Sequence, residues 1–447
     1  MKPFQVGLLG AGVVGGGTFR VLERNREEIR RRAGREIRIA HVADLDIDKA
    51  RTIAGSSAVA GNDARAVIAR PDIDVVLELI GGTGVARTLV LEAIAAGKHV
   101  VTANKALLAV HGTEIFEAAR ARGVVVAFEA AVAGGIPIVK ALREGLTANR
   151  IEWIAGIING TTNFILSEMR AKRIDFATAL ADAQRLGYAE SDPTFDITGV
   201  DAAHKATIVS AIAFGTPVQF ARAYVEGITE LQGADIAYAE QLGYRIKLLA
   251  ITKRRAPPAG SAGAGGIELR VHPTLVPATR LIANVEGAMN AVLVQGDAVG
   301  TTMYYGQGAG AEPTASAVIA DLVDLARLAT ADPGHRVPHL AFQPAAMQDV
   351  AVLPIDEVVT SFYLRLQVAD ETGVLARVTG ILAEHAISID ALLQRPAGPG
   401  QHQGERTDVI ILTHDTVEGR MTSAIAAMQA LPTVLAKIVR IRKEDLG

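Results

Sequence analysis

The hydrophobic positions of the chain fall into short continuous runs set between longer stretches of helical spacing. The first run, Phe4–Leu9, passes directly into Gly10-Ala11-Gly12-Val13-Val14-Gly15, and a helix is predicted from there to about Arg32. Further runs at Ile37–Ala43, 74–80, His99–Thr102 and 124–129 each end in polar or glycine residues, with an amphipathic helix predicted near 86–96. Strands buried on both faces read as near-continuous apolar runs, so this alternation predicts an α/β, doubly wound parallel sheet of Rossmann type over 1–137. After Ile151 the pattern changes. Strand spacing over 152–158 and 244–253, with helical spacing over 176–186, Val200–Phe214 and 234–242, predicts an α+β substrate domain, 138–310. Within it, 255–266 reads as a surface loop. A second glycine-rich turn, 306–314, opens a helix over 315–330, and the segment 311–330 is expected to return to the first domain and close it. Residues 331–360 are rich in proline, lack a strong period and read as a linker. The remainder, 361–447, runs strand (362–368), helix (373–385), strand (Ile389–Gln394), strand (408–414), helix (418–430), strand (436–442), a ferredoxin-like order.

Composition narrows the partners. The formal net charge is -3, and the basic run between Arg24 and Arg38 is interleaved with Glu27, Glu28 and Glu36, so no nucleic-acid or anionic-membrane partner is expected. No apolar stretch reaches the roughly 18–20 residues of a membrane span. The first strand is predicted from Phe4, so no signal peptide is expected. The chain has no cysteine, which excludes disulfides, thiolate metal sites and thiol nucleophiles and fits a cytoplasmic protein.

The candidate chemistry begins at the first turn. Gly10, Gly12 and Gly15 match G-x-G-x-x-G between a strand and a helix, the arrangement that receives a dinucleotide pyrophosphate on backbone amides. Asp44, at the end of the second strand, is either a ligand of the adenine ribose or an ordinary turn acid. No arginine follows it at once, and Lys49 and Arg51 are the nearest cations, which favours NAD over NADP. Gly81 and Lys105 follow strand ends, where a doubly wound sheet binds its ligands, though a surface lysine there is also common. Residues 129–137, from Glu129 to Pro137, form a small-residue loop that suits either a tight turn or convergence of carbonyls on a monovalent cation. The densest polar cluster is 186–205, with Glu190, Asp192, Asp196 and Asp201 followed by Lys205. Thr198 has the place of an N-cap with Asp201 three residues on, and Asp201 and Lys205 stand at i and i+4 on one helix face. Taken alone, this is a capping box with an ion pair. An active-site pair is the other reading.

The motifs together resemble the homoserine dehydrogenase family with a C-terminal ACT domain. The resemblance runs along essentially the whole chain and is carried by GLLGAGVVGGG (7–17), VVTANKALLA (100–109), NGTTNFIL (159–166), LGYAESDPTFDITGVDAAHK (186–205) and GQGAGAEPTASAVIADL (306–322). It implies reduction of L-aspartate 4-semialdehyde to L-homoserine with NAD or NADP, in threonine and methionine synthesis. It further implies Lys205 as proton donor or acceptor, Lys105 between cofactor and substrate, and Glu190, Asp196 and Asp201 around the amino acid. Glu129 with the backbones of Val132, Gly134 and Ile136 would hold a sodium ion, and Gly310 and the Gly81 loop would approach the cofactor. The ACT domain, 361–447, would bind an amino-acid effector, usually threonine, and contribute to contacts in a homo-oligomer. Many NADP-preferring members carry arginine near position 43; Ala43 here again favours NAD. Two rivals remain: another amino-acid or hydroxy-acid dehydrogenase of this architecture, or a non-catalytic nicotinamide-binding amino-acid sensor. Phosphorylating oxidation of a semialdehyde is excluded, because its thioester needs a cysteine.

Overall fold

The computed structural model describes residues 2–256, 265–328, 337–394 and 406–446. They form two compact units, one of residues 1–160, 201–223 and 288–350, the other of 161–200, 224–287 and 351–447.

In the first unit, apolar side chains such as Val6, Leu8, Val42, Val75 and Leu77 are removed from water on a parallel sheet. Its strands are β1 (Phe4–Leu9), β2 (Ile37–Ala43), β3 (Val59–Gly61), β4 (Val75–Glu78), β5 (His99–Thr102) and β6 (Val126–Ala127), in the order β3-β2-β1-β4-β5-β6. That is the dinucleotide-binding order, with the switch point between β1 and β4. β3 was not expected from the sequence: its three residues, Val-Ala-Gly, are too few to show a period. The helix predicted from Val13 to Arg32 is two helices, Val13–Arg24 and Arg26–Ala33, broken at Asn25. The helix Ala311–Leu328 begins earlier than its apolar period suggests, and Ala315, Val318 and Leu322 bury into the same core as β1. Its start lies so close to the first helix that a Cβ on Gly17 would meet the Ala311 carbonyl oxygen at 2.5 Å. An antiparallel ribbon, Ile151–Ile157 with Met289–Gly296 and Gly300–Gln307, completes the unit's strands among the described residues.

Residues 337–342 pack on the first unit rather than hanging between elements. His339 Nε2 accepts the Val126 amide at 3.1 Å, and Arg143 donates to the Pro338 carbonyl. Most of the loop at 255–266, and residues 329–336 of the predicted helix end and linker, lie outside the described residues.

In the second unit, Tyr244–Arg255 pairs antiparallel with Gly266–Pro277, and the latter pairs in parallel with Val439–Lys443 through Thr274 and Arg442. From there the sheet continues in the order Val439–Lys443, Val359–Val368, Thr407–Thr413, Ile389–Gln394, all antiparallel, with helices Val374–Glu384 and Glu418–Gln429 covering Phe362, Leu364, Val409 and Ile411. This is the ferredoxin-like arrangement read from the sequence. At its junction with Gly266–Pro277 lie two fully buried guanidiniums. Arg442 bonds Glu418 at 2.6 Å and Glu226 at 2.8 Å, and Arg270 bonds Glu268 at 2.8 Å and also Glu444. Among the described residues no helix is long and apolar enough to cross a membrane.

Candidate active site

The helix Val200–Phe214 is mostly apolar and has no exposed side: each residue from Asp201 to Phe214 is buried. A helix without an exposed face lies inside a core, so the charged residues of its first turns are carried in with it. Burial of a charge is costly unless it is paired. Lys205 and Asp201, one turn apart, answer that cost together. The Lys205 Nζ donates to Asp201 Oδ2 at 2.6 Å and to the Ile158 carbonyl at 2.7 Å, with 11% of its side chain exposed. Asn159 donates its side-chain amide to the same Asp201 oxygen at 2.8 Å. The other oxygen, Oδ1, lies 3.1 Å from the Nζ of Lys105, the first residue of the helix Lys105–Arg122. Burial pushes the Asp201 carboxyl up, but the two ammoniums and the hydrogen bonds of Lys205 and Asn159 outweigh it and hold the group well below the usual carboxylate range.

Lys205, Lys105 and Asp201, chosen from sequence, are therefore brought together. The capping-box reading is not. Thr198 ends the short helix Thr194–Ile197 and donates its hydroxyl back to the Thr194 carbonyl, while Asp201 spends its oxygens on Asn159 and the lysines. Asn159 and the Ile158 carbonyl were not singled out as partners of this pair. They follow the strand Ile151–Ile157 and meet Asp201 and Lys205 respectively across more than forty positions, so no local spacing announces them. Glu190 and Asp196 belong to the second unit, Glu190 exposed and Asp196 half-buried on the turn Thr194–Ile197.

The glycine loop has the form its motif suggests. A Cβ on Gly15 would stand 2.1 Å from the Gly10 carbonyl oxygen, so helix and turn can approach only without it. A Cβ on Gly12 would meet nothing within 4 Å, which leaves the N-terminus of Val13–Arg24 open to an anion, and no acid lies in that first turn. Asp44, half-buried beside this loop, accepts the Ala11 amide at 2.6 Å and the Asp46 amide at 2.9 Å. Val13 is exposed and Val14 packs against the core. Gly81 and Gly310 lie on exposed turns with φ of +84° and +119°.

Glu129 is buried, its carboxylate accepting the amides of Val139 at 2.9 Å and Lys140 at 2.8 Å, while its own amide donates to Asp321. Burial, then the Asp321 charge, pushes it up to about 7. Val132, Gly134 and Ile136 follow in a turn where Ala133 and Gly134 both take left-handed φ. The Ile136 carbonyl accepts the Ile138 amide. Among the described residues no cluster of three or more His, Asp or Glu side chains gathers around one point.

Three family models match the chain. The homoserine dehydrogenase NAD-binding domain covers residues 10–129, the homoserine dehydrogenase model 137–323 and the ACT domain 362–428. The chain is 58% identical to homoserine dehydrogenase of Neisseria gonorrhoeae and 57% identical to that of Pseudomonas aeruginosa, with all of both chains covered in each case. It also resembles the crystal structure of a homoserine dehydrogenase from Thiobacillus denitrificans, with a TM-score of 0.93, 62% identity, and 100% and 99% of the two chains covered. On the strength of these matches and of the nicotinamide fold that carries them, the chain belongs to the homoserine dehydrogenase family, oxidoreductases acting on the CH–OH group of homoserine.

Proposed function

We propose that Lys205 carries the proton in this reaction, with Lys105 as the second cation and Asp201 as the carboxylate that holds both. Hydride delivered to the aldehyde carbon of L-aspartate 4-semialdehyde leaves an alkoxide, which needs a nearby cation and then a proton. The observation that carries the reading is the buried Lys205 Nζ fixed between Asp201 and the Ile158 carbonyl, with a second ammonium on the same carboxylate. Two anchored acceptors stabilise an ammonium and aim it, so little reorganisation is needed when charge develops. In the oxidative direction the same amine, once neutral, takes the hydroxyl proton of homoserine. Lys205→Ala is expected to lower kcat by about a thousandfold or more while keeping cofactor affinity. Turnover near the native rate, measured by NADH absorbance with L-homoserine, would reject the assignment.

When bound, the nicotinamide supplies or accepts the hydride. Gly10, Ala11, Gly12, Val13, Val14 and Gly15 would face its pyrophosphate, Asp44 its adenine ribose, and Gly81, Lys105 and Gly310 its reactive half. The NAD preference is supported by Ala43 before Asp44, and by Lys49 and Arg51 being already paired with Asp46 and Asp48. Glu190, Asp196 and Asp201 are assigned to the substrate's ammonium, which needs anionic partners on leaving water. The domain limits that accompany this reading are 1–137 with 311–330 for the cofactor, 138–310 for catalysis and dimer contacts, 331–360 as connector and 361–447 for regulation.

Glu129 with the carbonyls of Val132, Gly134 and Ile136 is assigned a sodium ion. A buried carboxylate facing a second acid, beside a turn of left-handed residues, has the hard oxygen donors and unbalanced charge that such a cation answers. Thermal unfolding in sodium chloride should lie above that in choline chloride at equal ionic strength, and Glu129→Gln should erase the difference; equal midpoints in the native chain would count against the ion. Threonine is assigned to the turn Asp370-Glu371-Thr372-Gly373, and self-association is checked by light scattering.

A further inference from the structure

We infer that Glu78 is a positioning residue of the active site, joining the Gly81–Gly82 loop to the start of the Lys105 helix so that the two move as one body. The inference rests on the placement of Lys105 between cofactor and substrate given above.

Glu78 is the last residue of β4, and none of it is exposed. Its Oε1 accepts two amides, those of Ile80 and Gly81, each at 3.0 Å. Gly81 and Gly82 take consecutive left-handed φ of +84° and +74°, which curls the loop back over the strand end. Oε2 accepts the hydroxyl of Thr102, the last residue of β5, at 2.6 Å. That hydroxyl oxygen in turn accepts the Asn104 amide at 2.9 Å. Asn104 closes the circuit, donating its side-chain amide to the Gly82 carbonyl at 2.6 Å and accepting the Leu107 amide with its Oδ1 as N-cap of Lys105–Arg122.

Among the described residues no lysine, arginine or histidine pairs with Glu78, whereas the buried carboxylates of Asp201, Asp235 and Glu418 each have such a partner. A buried carboxylate held only by neutral donors is an expensive way to tie two turns, and a neutral acceptor would serve for stability alone. What the carboxylate adds is capacity: its two oxygens take donors from both strand ends at once, and charged acceptors hold donors in shorter, stiffer bonds. The strand ends it ties carry the glycine turn on one side and, on the other, the lysine whose Nζ reaches Asp201. Glu78 touches no reacting atom; it acts through Lys105.

The test uses the full-length chain. Glu78→Gln and Thr102→Val are made alone and combined with Lys105→Ala, and kcat and KM are measured with L-homoserine and NAD. Each single variant should lose about tenfold in kcat, and neither should lower kcat further once Lys105 is alanine. Thr102→Ser, which keeps the bridging hydroxyl, should retain the native kcat. Equal fold-losses with and without Lys105, or Thr102→Ser as slow as Thr102→Val, overturn the proposal. Native turnover by Lys105→Ala alone instead overturns the placement of Lys105, and the proposal with it. Should Glu78→Gln fail to bind NADH in a fluorescence titration, the Thr102 pair decides.

Discussion

Asp201 serves two like-charged lysines, one on each oxygen, and does so from inside a helix that has no exposed face. Its depressed pKa keeps it ionised through any working pH. The stability it contributes is present above the ordinary carboxylate range and is lost only as pH falls well below it. Asp201→Asn removes the negative charge beside the Lys205 ammonium, so the alkaline limb of kcat/KM for aldehyde reduction should move to lower pH. A limb that stays in place would separate Asp201 from proton transfer. The i, i+4 spacing of Asp201 and Lys205 was legible in the sequence because it is helical geometry. The role of Thr198 was misread for a related reason. Ser and Thr hydroxyls bond backbone on either side of a helix end, and only the chain's path after Pro193 shows that Thr198 closes one helix instead of opening the next.

At the scale of elements, the cofactor turn shows how a local motif and a distant acid become one device. Asp44 holds the Ala11 amide across 33 positions, so the end of β2 and the glycine loop are set by the same carboxylate that would meet the ribose. Asp44→Arg should raise the NADP-to-NAD ratio of kcat/KM by about tenfold or more while weakening both, since the loop loses its anchor. An unchanged ratio would remove Asp44 from cofactor choice. The central strands of this sheet were readable from apolar runs, as fully buried strands should be. β3 and the break at Asn25 were not: three residues carry no period, and the charged face of 26–33 continues the helical spacing across the break. Glu78, too, passes in the sequence as one residue of an apolar run, its importance arising only from Thr102 in the neighbouring strand.

The whole molecule joins a dehydrogenase to an ACT domain, and the order of elements in that domain was the clearest long-range feature of the sequence, because its apolar runs and helical spacings follow one another in the strand-helix-strand-strand-helix-strand order of a known fold. Its first turn places Gly373 at φ +85° immediately before the helix Val374–Glu384. A β-branched residue is strained in that conformation. The threonine site proposed above at this turn predicts that Gly373→Val weakens any inhibition by added L-threonine at least about tenfold and leaves kcat without threonine unchanged. Native sensitivity in that variant would place the effector elsewhere. What the sequence hid was how the module is attached. Residues of 266–277 and 439–443 pair as neighbouring strands, and the guanidiniums of Arg270 and Arg442 are neutralised by carboxylates from both sides of that junction.

That junction bears on how such an enzyme can be recombined. A sensor exchanged as a cassette from residue 359 onward would carry Arg442 and Glu444 away from Glu226 and Arg270, their partners in the retained part. Arg442 would keep Glu418 and Arg270 would keep Glu268, so each loses one of two carboxylates; a guanidinium left wholly unpaired there would cost about 3–5 kcal/mol, a large share of the stability of an ordinary domain. Crossover points that move both members of each pair together, with Glu226 and the strand Gly266–Pro277 on the same side as residues 359–446, are therefore expected to give the more stable chimeras.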